Sequence, residues 1–321
     1  MKKIIILCSL MVSCCFSAYS QEQIKSSQFG GQFIPSVVSL NVSDVNGQIW
    51  NGTGFFVSFS SNGRNYEFIV TAKHVITGKY FYGQKMKVFI NRNLNEKAQK
   101  YGDSNVFAYE IPLSTFSISQ NIGFASDPTV DIAVVLLTDT AETKEETIAR
   151  ADKYASGSNS ESALPEVWRA NANLSLPSTL ATDIVPYEIR EVYFAGYPFG
   201  VNLKKWMYPI LRSCVVASPD SEGYSSHNFG PYAFLIDCAP IPGDSGSPVF
   251  TREFVYSNTS GQLTEVQFGL LGVISQEVIL EDMTRSSTRY TDEAKVIRTK
   301  LPLGVVYPAH FIIDAMNNMV R

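Results

Sequence analysis

Charge is scarce in this 321-residue chain, where Asp, Glu, Lys and Arg together make up 17%. With 45% hydrophobic and 12% aromatic residues beside so little charge, the composition excludes a disordered chain or a coiled coil and supplies ample material for a packed core. Lys and Arg form no cluster and the formal net charge is −4, so nucleic acid, which demands a basic patch, is disfavoured as a partner. Histidine is scarcer still, with His74, His227 and His310 alone. No internal repeat stands out, and the length allows one large or two modest domains.

The amino terminus carries the longest candidate for a membrane segment, and it is short. Met1-Lys2-Lys3 is followed by the apolar run from Ile4 to Val12, which then turns to Ser and Cys. That is too little to span a bilayer. With Ala18-Tyr19-Ser20 in small-x-small form, residues 1–20 read as a signal peptide whose removal leaves Gln21 first and no membrane span. The loss of Lys2 and Lys3 leaves 24 basic against 30 acidic residues, a formal charge near −6. The chain is therefore expected to be exported, periplasmic or secreted. Lipid anchoring through Cys14 or Cys15 is the lesser alternative, because Met11-Val12-Ser13-Cys14 is a poor lipidation box. Of five cysteines, Cys8, Cys14 and Cys15 leave with the signal, so Cys214 and Cys238 remain. Two thiols in an oxidising compartment usually pair, and both sit in strand-like runs, so a cross-strand disulfide is expected; two buried free thiols would read the same in sequence.

What the chain does contain is Pro242-Gly243-Asp244-Ser245-Gly246-Ser247-Pro248, followed by the apolar Val249-Phe250. A serine between glycines, with a strand behind it, is how a nucleophile is offered to an acyl carbon. Glycine accepts backbone angles that a side chain forbids, so the Gly243 and Ser245 amides can point into one small space, an oxyanion hole. Such a serine needs a base and an orienting carboxylate. His74 closes the run Phe68-Ile69-Val70-Thr71-Ala72-Lys73-His74, where an apolar strand ends and a small turn presents the imidazole. His227, in a polar loop composition, and His310, at the start of a helix pattern, read as structural or solvated. Asp131 stands at the mouth of the apolar run Ile132 to Leu137 and is the favoured carboxylate. Its rival Asp127 precedes Pro128 and reads as a turn former.

In the order His74, Asp131, Ser245, these segments resemble the trypsin-like, chymotrypsin-fold serine peptidases, and more closely their bacterial HtrA-like branch. Gly52-Thr53-Gly54-Phe55-Phe56-Val57, Ala195-Gly196-Tyr197-Pro198-Phe199-Gly200, Ile236-Asp237-Cys238-Ala239-Pro240-Ile241 and Leu303-Gly304-Val305-Val306-Tyr307-Pro308 carry the likeness further. It covers roughly residues 35–321 apart from a central insert. The resemblance implies an endopeptidase acting on polypeptides through a Ser-His-Asp triad and an acyl-enzyme, with no metal or organic cofactor. It also implies a specificity pocket lined by Ala239, Pro240, Ser275, Gln276 and Glu277. Ala239 aligns with the position where trypsins carry a basic-selecting Asp, so a small or apolar side chain is the expected preference, with Glu277 the one acid able to restore a basic one. In digestive-type members the acid next to the serine pairs with a new amino terminus released by cleavage. No such start is evident here, which leaves the partner of Asp244 open. A catalytically silent binding protein of the same fold, or an esterase using the same triad, are the rival functions. The oligomeric state is unknown.

Short apolar runs separated by turn residues predict an all-β fold of two six-stranded antiparallel β-barrels with a short central helical insert and a C-terminal helix. The expected strands are 36–42, 54–58, 66–71, 86–90, 132–137, 192–195, 211–217, 233–237, 248–251, 266–274 and 303–307. Residues 21–139 would form the first barrel with His74 and Asp131, 140–185 an insert or linker opening on a helix over 140–154, and 186–321 the second barrel with Ser245. The site then lies in the cleft between them. Phe311, Ile312, Ala315, Met316 and Met319 recur at helical spacing, which predicts a terminal helix over 309–320 packed on the second barrel. The chain leaves no room for an appended PDZ domain, so regulation through one is not expected.

Overall fold

Period-two alternation sorts the apolar residues of each strand onto opposite faces, and the molecule buries both. In the computed structural model this produces three apolar clusters rather than one. Val38, Leu40 and Val42 of strand β1 (Val37–Ser43) face a first core with Phe56, Ile69, Val75, Ile76, Val135 and Leu137. Their neighbours Phe55, Val57, Phe68, Val70 and Val134 point the other way, into a shared cluster that includes Ala195, Tyr197, Leu235, Phe250, Val273 and Tyr307 from the second half. Val192, Phe194, Val216, Phe234, Ile236, Val249 and Ile274 fill the interior of that second half. Each fully buried phenylalanine such as Phe68 or Phe194 is worth about 2–3 kcal/mol of transfer free energy. The shared cluster is what sets one half against the other.

The structure describes residues 36–44, 46–62, 64–78, 85–91, 106–113, 122–139, 190–200, 209–218, 232–256, 263–288 and 291–320. After β1 come β2 (Ile49–Ser61), β3 (Arg64–Thr71), a short helix Lys73–Thr77, β4 (Lys85–Asn91), β5 (Val106–Pro112), β6 (Ile122–Phe124) and β7 (Ala133–Asp139). They pair antiparallel in the order β5-β4-β1-β2-β3-β7-β6, a seven-stranded sheet where six strands were expected. The second half holds β8 (Glu191–Gly196), β9 (Ile210–Ser218), β10 (Phe234–Ile236), β11 (Pro248–Tyr256), β12 (Leu263–Thr288) and β13 (Thr291–Pro308), and ends with the helix His310–Met319. Its strands close a six-stranded antiparallel barrel in the order β10-β13-β12-β11-β8-β9. The expected all-β, chymotrypsin-like architecture is present. The signal segment 1–20, His227 and the insert 140–185 lie outside the described residues.

One local expectation is met and one needs correction. The strand ends at Thr71 as expected, and the turn that presents His74 is the short helix Lys73–Thr77, which extended Ala72 starts and Gly78, at φ 63°, closes. The terminal helix, in turn, leaves the second barrel and packs on β6 and β7 of the first half. Gly123 has no side chain where Met319 and the Ala315 carbonyl approach, and Asp314 accepts hydrogen bonds from the Ser126 amide and hydroxyl at 2.6 and 2.8 Å. The amphipathic pattern is real, but the first half supplies part of its apolar partner.

Candidate active site

The base is positioned by burying its neighbours. Val75 and Ile76 are 1% and 2% exposed in the first core, so the helix Lys73–Thr77 has one orientation, and that orientation turns His74 toward solvent at the cleft. Trp50 Nε1 donates to the Val75 carbonyl at 2.6 Å, and Gly52, lacking a side chain, lets Val75 pack onto β2. The Lys73 amide and ammonium reach the carbonyls of Asp131 and Pro128 at 3.3 and 3.0 Å, tying the helix to the loop before β7.

That loop carries both candidate acids, and the structure separates them. Asp127 accepts from the amide and hydroxyl of Thr129 at 2.8 and 2.6 Å, a local turn. Asp131 instead faces His74: Oδ2 lies 2.6 Å from Nδ1, and Oδ1 accepts the His74 amide at 2.9 Å. Both oxygens thus fix one residue, ring and main chain together. A third donor, the Ser275 hydroxyl, reaches Oδ2 at 2.5 Å. Burial pushes the Asp131 carboxyl up, but the adjacent imidazole and the three donors outweigh it and hold it below the ordinary value. Burial likewise pulls His74 down, and the Asp131 charge with its hydrogen bond outweighs this, leaving the imidazole raised above 6.5. The Nδ1 contact to a carboxylate favours the tautomer that leaves Nε2 free to accept a proton.

The serine arrives from the other half on a turn of unusual backbone. Gly243 and Gly246 take φ of 102° and 90°, a region closed to other residues at low cost. Neither has room for a side chain: a Cβ on Gly243 would meet the Tyr197 carbonyl and the Phe199 amide, and one on Gly246 the Thr53 carbonyl. Within the turn the Asp244 and Ser247 amides donate to Ile241 and Asp244 carbonyls, and the Gly246 amide to Ile274, each at 2.8–2.9 Å. The amides of Gly243 and Ser245 donate to no described atom. The Ser245 hydroxyl donates to the Ser275 carbonyl at 2.9 Å, so one residue, Ser275, touches both Ser245 and Asp131.

Thr53 seams the halves at this point. Its amide donates to the Ser245 carbonyl at 2.8 Å and its hydroxyl to the Gly243 carbonyl at 2.8 Å, while the same oxygen accepts the Tyr197 amide at 2.9 Å. His74, Asp131, Ser245, Gly243 and Ser275 are therefore brought together. Ala239 and Pro240 precede the turn, Pro240 buried, and Gln276 is exposed on β12. Glu277 forms an ion pair with Lys300 on β13. His310 stacks on Phe311 with centroids 4.1 Å apart; burial lowers its pKa, with Asp314 opposing. Cys214 and Cys238 are joined by a disulfide across β9 and the segment that leads to the serine. Sequence reasoning missed Arg212, which contacts Asp244; a lone arginine in the apolar run Ile210 to Val216 was the available signal. Among the described residues no three His, Cys, Asp or Glu side chains are grouped as metal ligands would be, and no helix is long and apolar enough to cross a membrane.

Among solved structures the chain is similar to a serine endoprotease from Yersinia pestis, at 14% identity and TM-score 0.43, covering 92% of this chain and 66% of that one. An HtrA-type protease with a tripeptide also matches at 14% identity and TM-score 0.43, over 91% of this chain and 62% of its own. The protease Anisep from Arthrobacter nicotinovorans follows at 12% identity and TM-score 0.41, with coverages of 90% and 96%. The chain thus spans less than two thirds of the length of the first two. No curated protein matches. The family model described as the trypsin-like peptidase domain matches residues 52–255, well over half of the sequence and a span that includes His74, Asp131 and Ser245. The chain belongs to the trypsin-like peptidase domain family.

Proposed function

We propose that this chain is an exported serine endopeptidase that cleaves polypeptides with Ser245 as nucleophile, His74 as general base and Asp131 as orienting carboxylate. The observation that carries the reading is the Asp131–His74 contact of 2.6 Å, in a cleft where Ser275 links Asp131 to Ser245. For attack, the Ser245 hydroxyl turns from the Ser275 carbonyl to His74 Nε2, gives up its proton there and adds to the substrate carbonyl. The amides of Gly243 and Ser245, which donate to no described atom, take the developing oxyanion. The imidazolium, stabilised by Asp131, then protonates the leaving amine, and water releases the acyl group by the same path. No cofactor enters this scheme.

Two further readings rest on the same site. Glu277, the one acid among the described residues of the pocket lining, is held by Lys300, and we assign a small or apolar residue before the cleaved bond rather than Lys or Arg. The Cys214–Cys238 disulfide fits an oxidising compartment and so supports export. The test compares native protein with Ser245→Ala using a fluorophosphonate probe and fluorogenic peptides bearing Ala, Leu or Lys at that position. Native protein should label and hydrolyse the Ala or Leu peptide, and Ser245→Ala should lose about five orders of magnitude or more in rate. Native protein that neither labels nor cleaves ends the peptidase reading; labelling with ester but no peptide turnover turns it into an esterase.

A further inference from the structure

Asp244 directly precedes Ser245, its side chain is 1% exposed, and the scheme above gives it no proton to carry. Its Oδ2 accepts the Ile241 amide at 2.8 Å and Arg212 Nη1 at 3.1 Å, while Oδ1 is buried with no hydrogen-bond partner among the described residues. The other arm of the same guanidinium, Nη2, donates to the Ala239 carbonyl at 2.9 Å, and the group lies over the Phe194 ring, 5.0 Å from its centroid. One arginine on β9 therefore grips both ends of the 239–244 segment, whose tip is Gly243. Only a planar fork reaches two acceptors set apart in this way; an ammonium is a point donor. A buried carboxylate stripped of its cation is strongly destabilised, so this pair is either made or the segment rearranges.

We propose that Arg212 is the positioning residue of the nucleophile loop: by bridging the Ala239 carbonyl and the Asp244 carboxylate it holds the Gly243 and Ser245 amides in the orientation that receives an oxyanion. This deepens the peptidase reading and rests on it. Because the cation comes from the chain's own β9, the loop needs no liberated amino terminus to form.

Two independent features support the assignment. The disulfide joins Cys214, two residues along β9 from Arg212, to Cys238, the neighbour of Ala239, so the strand and the segment that the guanidinium bridges are also linked covalently. Gly196 leaves open the space into which Asp244 Oδ1 and the equally unpartnered Ser247 hydroxyl project; a Cβ there would collide with both. Burial pushes the Asp244 carboxyl up against the Ile241 amide and Arg212, which pull it down, so losing the guanidinium removes one of the two groups that oppose that rise.

The test uses the full chain with Arg212→Ala, Arg212→Lys and, in case the first fails to fold, the near-isosteric Asp244→Asn. Kinetics on a fluorogenic peptide, affinity for a peptide boronate that forms a tetrahedral adduct, and amide exchange of the 239–247 peptide are measured together. Arg212→Ala and Asp244→Asn should lower kcat about 100-fold, the scale of a lost oxyanion donor, with KM changed less than about threefold. Boronate affinity should fall in parallel and exchange should rise about tenfold or more, with Arg212→Lys intermediate. A fusion left on the amino terminus should change the rate less than about twofold. The proposal is overturned if Arg212→Ala keeps kcat and exchange within about twofold of native, or if activity requires a freed terminus. If native protein proves inactive the peptidase reading fails, and the exchange comparison still decides whether Arg212 holds the loop.

Discussion

Asp131 and Asp244 are two acids beside the cleft, one from each half, and their surroundings drive them in opposite directions. Burial pushes both up. Asp131 then meets the imidazole and three donors shared between its two oxygens, and ends below its ordinary value. Asp244 meets two donors on one oxygen, leaves the other unpartnered, and ends above it. Burial is outweighed at Asp131, where the His74 charge is the largest opposing cause, and is not outweighed at Asp244. In the proposed scheme the difference divides labour: the acid with three donors in the first half answers to a proton that moves, and the acid with two in the second half holds a loop that must not.

The largest effect that tests this division is expected at Asp131→Asn. An amide there loses the charge that steadies the imidazolium and admits the wrong ring tautomer, while the Asp244 loop is untouched. On the proposed mechanism kcat/KM should fall about 10⁴-fold, with amide exchange of the 239–247 peptide unchanged. A fall of less than about tenfold would break the comparison, because Asp131 would then be no more engaged in proton transfer than Asp244.

How much of this was legible in the sequence follows the same divide. The Gly-Asp-Ser-Gly turn, the strand before His74 and the apolar run after Asp131 are local patterns, and the triad candidates could be named from them. The partner of Asp244 was not legible, since Arg212 lies 32 residues away on β9. Strands β5 and β6 escaped notice as well. Val106–Pro112 interrupts its apolar residues with Glu110 and ends on Pro, and Ile122–Phe124 is only three residues long. The expected strands 266–274 and 303–307 extend to Leu263–Thr288 and Thr291–Pro308, where the register continues from Ile279 opposite Lys300 to Thr288 opposite Thr291. Charged residues such as Glu281, Asp282, Arg285 and Arg298 leave no apolar face in that stretch to read.

A smaller effect separates the halves from the other side. Replacing both cysteines, Cys214→Ser with Cys238→Ser, removes a crosslink across 24 residues of chain, worth about 3–4 kcal/mol on a chain-entropy estimate. Thermal unfolding should show a loss of that order. Because Arg212 still spans Ala239 and Asp244, kcat in the folded variant should fall far less than in Asp131→Asn, within about tenfold. A kcat loss as large as that of Asp131→Asn would mean that the loop is held by the covalent link and not by the ion pair.

The smallest effect is a displacement along the pH axis. The proposed base must be neutral to take the Ser245 proton, and His74 is raised above 6.5, so activity should be lost on the acid side through a limb whose midpoint lies above 6.5. In Asp131→Asn the charge and part of the hydrogen bonding that raise His74 are gone while burial still lowers it, so the residual activity should show its acid limb at lower pH than native. Asp244→Asn removes a carboxylate that does not contact the imidazole and should leave the limb where it is. The pH dependence of kcat/KM in the three proteins checks this, and a limb that moves with Asp244→Asn as far as with Asp131→Asn would show the two acids to be coupled through the loop, not divided by it.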